Sequence, residues 1–413
     1  MRTDSALLSR PGIDDPSTLP PPSTVPREGN HLLDVSALWD DTCQRYLGAK
    51  HAWLQAAGWR HTIIAPQGHG HGVVSCASVP APWSDGRRIV VDSGRAQRLI
   101  ERAEPDLIEV ADTGMLGWAA LAAARRLRVP AVACCLYELP TALGGWFGQH
   151  TGSAHVARWV EQGTRAYLRR FYRQFDLVLA PSEATLRALQ ALGLPNVRLQ
   201  GLGVHSAQFT PRLREPAWRW QLERLLGAPP GCKLLLYAGR FEADKQLALL
   251  AKAVHRLGPR CLLLAVGSGP QPPQGEQVRV LAPQPEHRLA RLMANVDAFV
   301  HAGERETFGL PVLEAMACGT PVIVSGGGAL PELAEGAGLV VRSHGAADWA
   351  AAMAAVLQDE PTPWAAAART RAVARDWAVV MAQWESRYLA LLLEREGTTL
   401  PGVALAAGER IAA

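Results

Sequence analysis

Apolar and polar positions alternate along the chain in two rhythms. From about residue 60, apolar runs of strand length recur: HTIIAP (61–66), RRIVV (87–91), DLIEV (106–110), AVACC (131–135), DLVLA (176–180) and NVRLQG (196–201). Between them lie stretches with a helical repeat, such as GWAALAAARRL (117–127) and SEATLRALQALG (182–193). Strands that alternate with amphipathic helices predict βα units and a doubly wound parallel sheet. A Pro- and Trp-rich passage near 211–230 interrupts the series, and a second one follows: KLLLYAG (233–239), CLLLAVG (261–267), VRVL (278–281), DAFVHA (297–302), TPVIVS (320–325) and GLVV (338–341). Two Rossmann-like domains in tandem are expected, with their ligand at the carboxyl ends of the strands in the cleft between them. The helical segment 376–395 has no strand partner and is expected to pack back across the interface.

Composition narrows the class. A chain of 413 residues with 48% hydrophobic content is long enough for two ordinary domains with real cores. The net charge of +4 (42 basic against 38 acidic residues) is carried mostly by arginine, since Lys50, Lys233, Lys245 and Lys252 are the only lysines. That mild balance makes no case for nucleic acid. The seven cysteines include no Cys-x-x-Cys pair and lie mainly in or beside apolar runs, so they read as reduced core thiols of an intracellular protein. Residues 1–30 hold six prolines and no apolar run of signal-peptide length, which reads as a disordered leader. No segment approaches the roughly 18 to 20 apolar residues that span a bilayer. A cytoplasmic protein is expected, at most peripheral at the inner membrane face.

The chemistry concentrates in the second series. In ERETFGLPVLEAMACGTPVIVS (304–325), Glu306 and Glu314 flank Phe308-Gly309-Leu310-Pro311. Proline favours the first helical position, so a helix should begin at Pro311 and end where Gly319 supplies a left-handed residue. A helix N-terminus beside a glycine is an anion site. Carboxylates would repel a phosphate but accept hydrogen bonds from hydroxyls. The ligand should therefore be anionic in the middle and polyhydroxylated at both ends, which describes a nucleotide sugar. Arg240 and Lys245 follow strand KLLLYAG, where an α/β fold would hold a phosphate. Gly267-Ser268-Gly269-Pro270 and Gly326-Gly327-Gly328 also follow strands and could face the same ligand.

Taken together, GRFEADKQLALLAKAV, VGSGP, NVDAFVHAGERETFGLPVLEAMACGTPVIVSGGG and PSEATLRALQALGLPNVRLQGLGVHSAQFTP resemble the retaining nucleotide-sugar glycosyltransferases of the GT-B fold, family 4. The similarity covers roughly residues 60–395. It implies an acceptor-side domain at 31–205, a nucleotide-sugar-binding domain at 206–375 and a returning helix and tail at 376–413. By the same resemblance Arg240 and Lys245 hold the donor diphosphate and stabilise its developing charge. Glu306 bonds a donor-sugar hydroxyl near the oxocarbenium-like centre, Glu314 holds the ribose hydroxyls, and the backbone N–H groups of Phe308, Gly309 and Leu310 meet the sugar or the β-phosphate. The reaction would be retaining, with a UDP-, GDP- or ADP-sugar as donor and a glycan or lipid-linked acceptor. No cofactor or metal is implied, and the chain has no Asp-x-Asp triplet.

The first domain departs from the family's pattern. Asp40-Asp41-Thr42 stands where a glycine-rich loop is common, and Leu136-Tyr137-Glu138 where a histidine and then an acidic residue are common. Leucine can neither donate a hydrogen bond nor relay a proton. These departures keep a second reading open, a non-catalytic relative that binds donor and serves as a partner or regulatory subunit. A nucleotide-sugar epimerase on the same plan would need an acid and a base that the sequence does not display. Gly68-His69-Gly70-His71-Gly72 reads better as a loop than as a metal site. In residues 155–175, Val156, Trp159, Val160, Tyr167, Leu168, Phe171 and Phe175 share a helical face opposite Arg158, Arg165, Arg169 and Arg173. That pattern fits a helix packed on its own domain, or one that meets an anionic membrane to reach a lipid-linked acceptor.

Overall fold

The computed structural model describes residues 29–36, 39, 41–66, 68, 70–80, 88–136, 152–358 and 363–395. Residues 1–28 of the proposed leader, Asp40, His69, Tyr137 and Glu138 lie outside them, as do the side chains of Asp41 and Thr42. The chain divides into two compact units. One takes the residues up to Cys134, Phe171–Leu177 and those from Glu385 onward; the other takes Cys135–Arg170 and Val178–Trp384.

The first half of the chain supplies β1 (His31–Val35), β2 (Arg60–Pro66), β3 (Val73–Cys76), β4 (Val79–Pro80), β5 (Arg88–Ile89), β6 (Leu107–Val110), β7 (Ala131–Cys134), β8 (Leu177–Ala180) and β9 (Val197–Leu199). In the first unit β3-β2-β1-β6-β7 lie side by side in that order. Two features differ from the sequence pattern. HLLDV forms β1, buried along its whole length, although Asp34 breaks its apolar run. RRIVV yields only the short β5, half-buried and antiparallel to β4. Its flanking arginines and lack of full burial leave it outside the main sheet.

The second unit holds the regular sheet. It is built from β10 (Lys233–Ala238), β11 (Cys261–Val266), β12 (Val278–Leu281), β13 (Ala298–His301), β14 (Val322–Ser325) and β15 (Gly338–Val341), in the order β12-β11-β10-β13-β14-β15. All its pairings are parallel. Strands such as CLLLAV and VIVS are buried on every residue, as expected where helices cover both faces. The strand order reverses between β10 and β13, so the carboxyl ends of these two strands form a topological switch point. All seven cysteines are buried and free of disulfides, and among the described residues no helix is long and apolar enough to cross a membrane.

The core of the first unit contains a charge network. Lys50 Nζ, 1% exposed, donates to Asp34 Oδ1 at 2.9 Å, Glu109 Oε1 at 2.7 Å and the Tyr46 hydroxyl at 2.8 Å. His61 Nε2 lies 2.6 Å from Asp34 Oδ2. Tyr388 donates to Glu109 Oε2 at 2.5 Å, while Trp53 and Trp59 donate to Glu385. Through Tyr388 and Glu385, the last turns of the helix Trp377–Arg395 are fixed to the first unit's core. Burial opposes ionisation of Asp34, but Lys50 and His61 outweigh it and hold that carboxyl below its ordinary value. Burial wins at Glu109, whose pKa is raised despite Lys50.

His31 opens a pH dependence. Its Nδ1 accepts from Arg60 at 3.2 Å and its Nε2 lies 2.9 Å from the Thr62 hydroxyl. Burial and then the Arg60 charge lower its pKa from 6.5 to about 4. Below 6.5 the unfolded chain protonates this ring while the native chain stays neutral down to about 4. The stability it contributes is therefore full above 6.5 and is lost as pH falls toward 4, up to roughly 3 kcal/mol. His31→Gln should flatten the pH dependence of urea-unfolding stability in that window; an unchanged slope would contradict the assignment.

Candidate functional site

The switch point gathers the residues that the sequence singles out. Arg240 comes two residues after β10, and Lys245 ends a short turn of helix over Ala243–Lys245. Glu306 comes five residues after β13, just before the helix Leu310–Ala317. Lys245 Nζ lies 2.5 Å from Glu306 Oε1 and 3.2 Å from Asp244 Oδ2. Arg240 Nη2 lies 2.6 Å from Glu242 Oε1. Both cations thus rest on carboxylates.

Their electrostatics are strongly coupled. Burial works against the Lys245 charge, but Glu306 and then Asp244 more than compensate and push its pKa above the ordinary lysine value. Burial likewise opposes Glu306, yet Lys245 and His301 hold its carboxyl well below the usual carboxylate range. A cation and an anion in contact, with side chains only 14% and 18% exposed, form a polarised pair at the mouth of the switch point.

The helix that follows begins one residue before the expected Pro311 and ends at Ala317, with Gly319 left-handed at φ +65°. Gly309 precedes it at φ +91°, a conformation that side chains rarely adopt. The first N–H groups of such a helix have no intrahelical acceptor, so Gly309 and Leu310 begin a donor edge. The side chains of Phe308 and Leu310 are buried at 4% and 2% exposure. Glu314, 2% exposed, lies about one turn further along the helix. Its carboxylate does not join the Lys245–Glu306 pair.

The glycine loops buttress the site. A β-carbon at Gly328, where φ is +58°, would stand 2.4 Å from the Glu306 carbonyl oxygen, and Ala329 N–H donates to that same oxygen at 2.8 Å. The Gly326–Gly328 turn therefore supports Glu306 from behind. Gly267 and Gly269 similarly let their loop press on residues 239–241, with Phe241 N–H donating to Ser268 O at 2.8 Å.

Some participants carry no sequence signal beyond their place at a strand end. His301 Nε2 lies 3.3 Å from Glu306 Oε1. Tyr237 donates its hydroxyl to Arg240 O at 2.8 Å, and its ring centroid is 5.4 Å from that of His301. Thr307, next to Glu306, donates its hydroxyl to Leu136 O at 2.9 Å, so the position that lacks the expected histidine lies beside the site. On the helix Ala154–Tyr172, Leu168 and Phe171 are buried as the spacing predicts, but Trp159 is 76% exposed alongside exposed arginines.

Known proteins share this pattern. The family model described as Glycosyl transferases group 1 matches residues 219–373, and the one described as Glycosyltransferase Family 4 matches residues 44–208. A GDP-mannose-dependent alpha-mannosyltransferase of Mycobacterium tuberculosis is 31% identical over 316 residues, covering 73% of this chain and 77% of that protein. The chain belongs to the family 4 glycosyltransferases. The sulfoquinovosyl transferase SQD2 of Arabidopsis thaliana is 29% identical over 285 residues, 66% of this chain, and the chain spans only 53% of that protein's length. Among solved structures, Anabaena HepE in complex with UDP and glucose superposes with a TM-score of 0.69 at 18% identity, covering 88% of this chain and 100% of that one. A glycosyltransferase from Rickettsia africae gives the same TM-score at 15% identity, covering 88% and 99%. These likenesses show the GT-B fold.

Proposed function

We propose that this chain is a retaining, metal-independent glycosyltransferase that moves a sugar from a nucleoside-diphosphate donor to a glycan or lipid-linked acceptor. The observation that carries the reading is the Lys245–Glu306 contact at the switch point, with Arg240 on the adjoining loop. A diphosphate that draws Lys245 and Arg240 away from their carboxylates would have its charge matched by the protein as the glycosidic bond breaks. Glu306 would then stand beside the positive charge that builds on the anomeric carbon. The acceptor oxygen bonds that carbon on the face the diphosphate leaves, and the acceptor proton passes to the departing phosphate oxygen. No protein nucleophile is needed. Glu314 would take the ribose hydroxyls and the backbone at Phe308, Gly309 and Leu310 the sugar or β-phosphate.

On this reading residues 206–375 take the donor and residues 31–205 the acceptor. The names of relatives and neighbours, which mention GDP-mannose, UDP and glucose, make UDP- and GDP-sugars the first donors to test, with ADP-sugars beside them. Exposed Trp159 among Arg158, Arg165 and Arg169 supports contact with an anionic membrane at the cytoplasmic face, where a lipid-linked acceptor would lie.

The test is release of nucleoside diphosphate from each donor, with and without a cell-extract acceptor pool, anionic vesicles and EDTA. Release that survives EDTA, with the chain co-sedimenting on phosphatidylglycerol but not phosphatidylcholine vesicles, is the expected result. Strict dependence on magnesium or manganese would count against the metal-independent reading. Tight donor binding without release under any acceptor would promote the non-catalytic partner, for which Leu136 beside Thr307 is the specific motive.

A further inference from the structure

His301 ends β13 at 3% exposure, beside Glu306. Both of its ring nitrogens are engaged. Nδ1 accepts the Gly303 N–H at 3.2 Å, and the carbonyl of Gly303 accepts the Ser325 hydroxyl at 2.5 Å, which clamps that turn to β14. A β-carbon on Gly303 would meet the imidazole at 2.8 Å, so ring and turn are in close contact. A neutral ring whose Nδ1 accepts carries its proton on Nε2, and Nε2 faces Glu306 Oε1. The Tyr237 ring closes the other side and limits rotation of the imidazole.

We propose that His301 is a positioning residue that holds Glu306 in place when Lys245 leaves it for the donor diphosphate. The Glu306 carboxylate has Lys245 and His301 as its side-chain partners among the described residues. A diphosphate offers Lys245 more negative charge than a single carboxylate does, and the lysine stem is flexible. His301 stays on its strand. Once Lys245 has turned, the Nε2–H bond is what keeps Oε1 from rotating away from the anomeric centre. The inference rests on the proposed function for its catalytic consequence, though not for the bond itself.

The two parts are tested separately. In histidine-15N NMR of the whole chain, His301 should show the Nε2-protonated tautomer, and its Nε2 signal should move in Glu306→Gln, both donor-free and saturated with UDP or GDP. An Nδ1-protonated ring, or a signal indifferent to Glu306, overturns the proposal whether or not any donor is turned over. In kinetics with UDP-glucose and GDP-mannose, His301→Leu should lower kcat about ten- to a hundredfold, as a misplaced catalytic group does, with nucleoside-diphosphate affinity changed little. His301→Gln, whose amide can reach the same oxygen, should recover most of the loss and also covers the case in which the leucine variant does not fold. Turnover by His301→Leu within twofold of wild type would overturn the positioning role. Absence of turnover by wild type would instead defeat the proposed function and leave the NMR arm to decide on the bond.

Discussion

Glu306→Gln is expected to lower turnover by about a hundredfold or more, the scale seen when one preorganised electrostatic group is removed. The substitution keeps the shape and the hydrogen bond from His301 but removes the charge that the proposed mechanism sets beside the developing oxocarbenium centre, where its effect would be largest in the transition state. Donor affinity should move the other way, or not at all. Glu306 is the carboxylate on which Lys245 rests, so neutralising it would free Lys245 for the proposed diphosphate. Lys245→Ala is the converse case: it removes the charge-assisted bond proposed to the donor, and affinity should fall roughly ten- to a hundredfold. Calorimetry with UDP and GDP beside single-turnover kinetics separates the two. Equal losses of affinity and turnover in Glu306→Gln would show that Glu306 binds the ground state and is not placed at the reacting centre.

The strands and the glycine-bracketed helix of the second unit were legible because their signals are local. Pro311 and Gly319 bracket a helix that the structure starts at Leu310 and ends at Ala317, since proline fits a first turn and glycine a left-handed exit. Runs such as CLLLAV announce buried parallel strands because no polar residue interrupts them. What stayed hidden depends on contacts between distant residues. Nothing in DAFVHA says that His301 will face Glu306, and nothing in a glycine triplet says that Gly328 lies against the Glu306 carbonyl. β1 was obscured by Asp34, a charge that looks misplaced in a core strand until Lys50 is seen beside it. Helical spacing put Trp159 on the same face as Leu168 and Phe171, but spacing cannot say how far along a helix the packing extends.

Lys50→Met should destabilise the first unit by about 3 to 5 kcal/mol, the usual consequence of removing one partner from a buried ion pair. Methionine preserves most of the stem's volume, so the loss isolates the charge. Without Nζ, Asp34 keeps His61, and Glu109 keeps the hydroxyls of Tyr46 and Tyr388, but the cation shared by the two carboxylates is gone. Urea unfolding followed by tryptophan fluorescence includes this unit in its signal, because Trp53 and Trp59 both donate to Glu385 of the helix that carries Tyr388. The pH dependence distinguishes lost charge from lost packing. In the variant, burial raises both carboxyl pKa values above their unfolded values, so between those values the native state binds more protons than the unfolded state and stability falls as pH rises. The stability difference between wild type and Lys50→Met should therefore shrink as pH is lowered from 7 toward about 5, where the carboxyl groups can take up protons. A packing defect would leave that difference constant with pH. A total loss below about 1 kcal/mol at pH 7 would mean that Lys50 does not hold this core together.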